Sequence, residues 1–221
     1  MKRDWKQRWF KLLKIDRKKF FFFVLLGAGI ITFFLILSLF SYRINQKAQA
    51  DFELATSHYR KAQNSQEEKR REEYEEAKSL YNDILARFLL RDKKKVLFYL
   101  GSSLYYLEEY REAARIFQRF VDRYGRDYFS PWVEIRLAAS YEEIGEFQKA
   151  IKVYQLTLRE HPESALAPQG NLGIARCREL QAKWQEAQKA YQELISRYPL
   201  SPEKEIAEAR IQWIKVKGQG S

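Results

Sequence analysis

FQKAIKVY, residues 147–154, would pass for any amphipathic helix if it stood alone. It has two companions: YREAARIF precedes it at 110–117 and WQEAQKAY follows at 184–191. Each octet places an aromatic residue, then Ala three residues on, then a second aromatic four residues further: Tyr110, Ala113, Phe117; Phe147, Ala150, Tyr154; Trp184, Ala187, Tyr191. At 3.6 residues per turn, this spacing sets all three side chains on one helix face. The small alanine lets a neighbouring helix approach closely, and the aromatics fill the space to either side.

The three alanines are 37 residues apart, and so are both sets of aromatics, a period that signals a solenoid of stacked units. Each octet follows another helical stretch, at 95–107, 131–143 and 168–180, so the implied module is a pair of antiparallel helices. Breaks fall where such a module needs them. Pro162 and Pro199 stop the second helices, Gly125 offers a left-handed terminus after Tyr124, and Gly145 sits at the turn within a unit. Ser130 and Pro131 open a first helix, with Ser placed to cap it. A weaker copy of the octet, YEEAKSLY at 74–81, implies an earlier unit. Its first helix is predicted at 48–63, with NSQEEKRREE, 64–73, as a lengthened connection. An amphipathic stretch at 202–217 reads as the terminal cap that a solenoid requires. The expected fold is all-α: one N-terminal transmembrane helix, then three to four helix pairs with a C-terminal capping helix.

Charge divides the chain. The formal net charge is +11, but eleven of the basic residues lie in positions 1–50 against only Asp4 and Asp16, which leaves the remainder close to neutral. A phosphate-binding stripe is therefore not expected, and nucleic acid is excluded as a partner. The basic cluster instead precedes FFFFVLLGAGIITFFLILSLF, 20–40, an uncharged run long enough to cross a hydrocarbon core of about 30 Å. Nine Lys/Arg before Phe20 outweigh Arg43 and Lys47 after it, so the positive-inside rule puts the N-terminus in the cytoplasm. Ala48-Gln49-Ala50 has the form of a cleavage site, yet the apolar run is too long for a signal h-region, and an uncleaved anchor is the better reading. The predicted organisation is a basic cytoplasmic tail at 1–19, with Trp5 and Trp9 at helical spacing among its cations, a membrane span at 20–41, and an extracytoplasmic repeat domain at 48–217.

Catalytic chemistry has little to rest on. His58 and His161 are the only histidines, and His161 adjoins a helix-terminating Pro. No H-E-x-x-H, G-x-S-x-G or Gly-rich phosphate loop occurs. The pairs Glu108-Glu109 and Glu142-Glu143 read as solvated faces, and the lone Cys177 as a small packing residue. Neither an enzyme, a metal site, a cofactor nor a small-molecule substrate is expected.

Leu137, Ala138, Tyr141, Gly145, Phe147, Ala150, Tyr154 and Pro162 fall in the order and spacing of the tetratricopeptide repeat, which this chain resembles over roughly 48–200. Leu100, Gly101, Tyr110, Ala113 and Phe117 repeat the pattern, as do Trp184, Ala187, Tyr191 and Pro199, with Ala182 in place of the turn glycine. The resemblance implies a concave surface lined by first helices and used to bind proteins or unfolded polypeptide segments. Its expected lining includes Lys95, Phe98 and Tyr105, then Trp132 and Ile135, then Leu172 and Arg176. Phe98 and Ser102 stand where the family's carboxylate-clamp variety has Lys and Asn, which argues against that mode. A basic tail, one span and a periplasmic array of this size are similar in architecture to the ancillary subunit of the Sec translocon. That likeness implies an inner-membrane, chaperone-like accessory; a structural adaptor of an envelope complex, serving outer-membrane protein assembly or cell division, is the alternative.

Overall fold

The computed structural model describes residues 17–86 and 93–219. All secondary structure among the described residues is helical: α1 Arg17–Gln63, α2 Glu67–Ala86, α3 Lys94–Tyr106, α4 Tyr110–Tyr124, α5 Ser130–Glu143, α6 Phe147–Glu160, α7 Ala167–Leu180, α8 Trp184–Arg197 and α9 Glu203–Gln219. The chain divides into two compact units, Met1–Ala50 and Asp51–Ser221.

In the first unit, the 20–40 stretch of α1 exposes its apolar side chains on every face, Phe21, Leu25, Phe34 and Leu39 among them. Among the described residues α1 is the one helix long and apolar enough to cross a membrane, with a mean hydropathy of 2.8 over an 18-residue stretch. A helix of this kind serves as a membrane span or a signal anchor. The tail tryptophans Trp5 and Trp9 lie outside the described residues.

In the second unit, successive helices pack as neighbours from α2 through α9, and first helices also touch first helices, α3 with α5 and α5 with α7. The octets explain why. Ala113, Ala150 and Ala187 are fully buried, as are Phe117, Tyr154 and Tyr191 beside them. Gly101 is needed for the same reason: a Cβ there would lie 2.5 Å from the Phe117 ring. Each helix pair then reverses through one residue with positive φ, Glu108 (64°), Gly145 (77°) and Ala182 (58°), again 37 residues apart. Glu and Ala hold a left-handed conformation in two of the three turns because the stacking of the pair dictates the reversal.

Three local expectations are corrected. Residues 64–73 are not a long connection: the turn ends before Glu67, and α2 opens there with Glu67 and Glu68 in its first turn, where they complement the helix dipole. Gly125 is right-handed, with φ −58°. Ser130 does not cap α5; its hydroxyl donates to the Tyr124 carbonyl at 2.8 Å and ties the helix start back to α4.

Candidate functional site

The C-terminal part of α1 packs against α2 and α3 through rings and hydroxyls. Thr56 Oγ1 lies 3.1 Å from the Tyr81 hydroxyl, and His58 Nδ1 lies 2.7 Å from Glu73 Oε2. Tyr81 stacks on Tyr99 at 5.9 Å, Tyr74 on Tyr106 at 4.9 Å, and Tyr59 meets Tyr99 edge-on at 5.1 Å. Burial raises the hydroxyl pKa values of Tyr59, Tyr74 and Tyr81, so all three stay neutral packing groups.

Two of the cavities on this scaffold are lined by rings. The first, about 250 Å³, lies between α1 and α3, with Phe52, Thr56 and Arg60 on one side, Lys94, Lys95, Phe98 and Tyr99 on the other, and Phe129 closing an end. Phe98 meets Tyr99 at 5.2 Å and Phe129 at 6.2 Å, which makes an aromatic wall. The second, about 600 Å³, lies between the α4–α5 and α6–α7 links and includes Trp132, Tyr128, Pro162 and Leu166. Trp132 is 50% exposed and Tyr128 85%, an unusual exposure for rings.

The sequence-predicted lining does not come together as one surface. Lys95 and Phe98 share the first cavity, while Trp132 belongs to the second and does not join them. Tyr105 is half-buried further along α3, between Tyr110 at 5.2 Å and the Arg136 guanidinium at 5.3 Å. Ile135 and Leu172, only 4% and 8% exposed, are core side chains, because the first helices turn those positions toward the neighbouring helix. Arg176 is engaged: its Nη2 donates to Glu142 Oε2 at 2.8 Å, and its Nε donates to Oε1.

That last contact corrects the reading of Glu142 as a solvated face. Glu142 is buried, and it also accepts from the Tyr154 hydroxyl at 3.1 Å. The hydrogen bond to Glu142 raises the Arg176 pKa further, and burial raises that of Tyr154. One unit on, Glu179 repeats the arrangement, accepting from the Tyr191 hydroxyl at 2.8 Å and from Arg210 Nε at 3.1 Å. The 37-residue spacing of Glu142 and Glu179, each twelve residues before a repeat tyrosine, was a signal available in the sequence. Burial pushes the Cys177 thiol up to about 12, so it packs as an unreactive group. Among the described residues, no group of three or more His, Cys, Asp or Glu side chains could hold a metal ion.

Tetratricopeptide-repeat family models match residues 63–128, 98–165 and 171–201, together more than half of the chain. The chain carries tetratricopeptide repeats. Solved structures agree on the fold. The MamA RS-1 ArsTM double mutant is 15% identical with a TM-score of 0.56, over 74% of this chain and 84% of that one. YrrB, described as a tetratricopeptide-repeat protein with an unusual peptide-binding site, is 17% identical with a TM-score of 0.53, over 62% and 67%. The Yersinia enterocolitica type III secretion chaperone SycD, in complex with a peptide of the translocator YopD, is 20% identical with a TM-score of 0.50, over 60% and 99%. Among curated proteins, none matches the chain. The repeats make this chain an interaction scaffold, a class that is generally non-catalytic.

Proposed function

We propose that the chain is a membrane-anchored scaffold of the bacterial envelope that binds polypeptide segments along its first helices, as a chaperone-like accessory of the secretion translocon. In this reading 1–19 is cytoplasmic, 20–41 spans the inner membrane, and the repeat domain at 48–217 is periplasmic. The observation that carries it is the pair of aromatic-lined cavities with Trp132 half exposed at the mouth of the larger. An aromatic side chain left out of the core on a folded scaffold is the usual energetic centre of an interface, often worth about 2 kcal/mol or more. YrrB and SycD, whose descriptions name peptide binding, lend support at the level of fold. Lys95, Phe98, Tyr105 and Trp132 are the proposed contacts.

A photo-crosslinker at position 128, an exposed neighbour of Trp132 in the larger cavity, placed in the membrane-inserted chain, tests this: several unrelated unfolded or translocating polypeptides should be captured. Trp132→Ala should cut capture about tenfold or more with an unchanged melting temperature. Undiminished capture would assign the partner to another face. The structural-adaptor reading draws on a different observation, the exposed Leu200, Ile206 and Val216 near the C-terminal helix, and predicts one folded envelope partner. Protease added from the periplasmic side should digest the repeats and spare a tag placed before Trp5; a protected repeat domain would overturn the topology.

A further inference from the structure

We infer that the cavity between α1 and α3 is a subsite for an acidic side chain with an aromatic neighbour, so that it selects acidic–aromatic segments and not merely apolar ones. This rests on the reading that the first-helix surface holds polypeptide. The cavity of about 250 Å³ has room for one ring against Phe52, Phe98 and Phe129. Its rim is cationic from both sides. Arg60 stands on α1 and Lys95 on α3, both exposed, and neither side chain makes a hydrogen bond or ion pair with a described residue. Lys94 is occupied, bound to Asp127 at 2.7 Å. Among the described lining residues the remaining carboxylate is Glu53, two helical turns before Arg60 and so about 10 Å along the axis. Two cations on facing helices therefore outweigh one anion.

A guanidinium and an ammonium held about an aromatic floor suit a carboxylate. The guanidinium forks onto its two oxygens, and the apolar walls lower the local dielectric and strengthen the attraction. Complementary charge of this sort sets which partner enters more than how tightly it is held. The occupant is an internal segment and not a chain terminus. Ser102, one turn beyond Phe98, is fully buried, so its hydroxyl is not available to help enclose a terminal carboxylate.

Fluorescent twelve-residue peptides, acetylated and amidated, with Asp-Phe-Asp, Asn-Phe-Asn, Lys-Phe-Lys or Asp-Ala-Asp at the centre of a Gly/Ser background, provide the probe. With the full chain in lipid nanodiscs, Asp-Phe-Asp should bind at least about tenfold tighter than Asn-Phe-Asn, with the gap closing as salt is raised. Asp-Ala-Asp should bind more weakly than Asp-Phe-Asp. The double change Arg60→Glu, Lys95→Glu should reverse the preference toward Lys-Phe-Lys at unchanged helicity; should it lose helicity, Lys95→Gln alone must narrow the gap. Equal binding of the Asp and Asn peptides, or a preference untouched by these changes, would overturn the subsite while leaving the groove intact if Phe98→Ala still weakens both. A non-amidated Asn-Phe-Asn peptide ending at its core and binding as well as Asp-Phe-Asp would point to a chain terminus and overturn it too. No binding by any peptide at millimolar concentration would remove the groove reading itself.

Discussion

Where α3 meets α5 the tie between units is made of rings; where α5 meets α7, and α7 meets α9, it is made of a buried carboxylate. The three ties occupy one register, Tyr105, Glu142 and Glu179, each 37 residues from the next. Each receives an arginine from the following first helix. The Arg136 guanidinium lies over the Tyr105 and Tyr106 rings at 5.3 and 5.2 Å and donates to the Tyr106 hydroxyl at 3.0 Å, whereas Arg176 and Arg210 bind Glu142 and Glu179. The second helix follows suit. Phe117 lacks a hydroxyl where the slot is a ring, and Tyr154 and Tyr191 supply one where it is a carboxylate. One backbone repeat thus accepts two chemistries, provided the slot can hold a cation. A π face costs little to bury, but a carboxylate must be fully bonded.

The sharpest test breaks the cation out of each tie. Arg176→Met leaves Glu142 buried with only the Tyr154 hydroxyl, and unfolding by urea should show a loss of about 2–3 kcal/mol, discounted for the partial exposure of Arg176. Arg136→Met, at the ring tie, should cost about 1 kcal/mol. Equal losses would erase the distinction. Adding Glu142→Leu to Arg176→Met should recover most of the stability, because the unpaired charge goes with it.

Close approach should matter next. Gly173 sits where a Cβ would lie 2.3 Å from the Tyr154 ring, so Gly173→Ala should displace the ring that bonds Glu142 and cost about 1–3 kcal/mol, read from thermal unfolding. Ala150→Leu should cost a similar amount, about 1–3 kcal/mol.

A third prediction concerns Glu134, a buried carboxylate in the register where the ring-tied unit has Leu97. Its nearest cationic candidate is His161, at 3.6 Å. Burial holds its carboxyl above the usual glutamate range, so the native state keeps this proton more firmly than the unfolded chain does. The stability it contributes is fully present below the unfolded value of about 4.3 and is lost as pH rises through the higher native one. Glu134→Leu should therefore melt higher than the wild type at pH 7, by the equivalent of about 1 kcal/mol, with a smaller advantage at pH 4. An advantage that shrinks toward neutrality would show the carboxylate well solvated in its ion pair.

The smallest effect is expected at the turns. Ala182→Gly relieves a left-handed alanine and should stabilise by about 0.5–1 kcal/mol, with no effect on peptide capture. At Gly145 the reverse change should destabilise by about as much, although a Cβ there meets nothing within 4 Å, because the constraint is the backbone angle.

Much of the architecture was legible because repetition makes a weak signal strong. One aromatic–Ala–aromatic octet is ambiguous, and three at a constant period are not. They placed the packed faces of α4, α6 and α8 and, with Pro162 and Pro199, the ends of α6 and α8. The start of α2 was obscured because ten polar residues without apolar periodicity read as a link, yet the Glu, Lys and Arg of 67–73 are good helix formers carried by the packing of Tyr74, Ala77 and Tyr81 further on. Of the first-helix positions expected to line a groove, Lys95, Phe98 and Trp132 stand beside open space, whereas Ile135 and Leu172 are buried, and Glu142, expected in solvent, is buried as well; a helical period alone does not say which stripe of a first helix its neighbours cover.

The sequence by itself determined the unit and the apolar run at its head, because each depends on neighbours within a few turns of one helix. Which face of a first helix meets solvent was decided only in the tertiary structure. The rotation of each helix against the next sets whether a given position opens into a cavity or meets a ring, an arginine or a carboxylate from a unit more than thirty residues away.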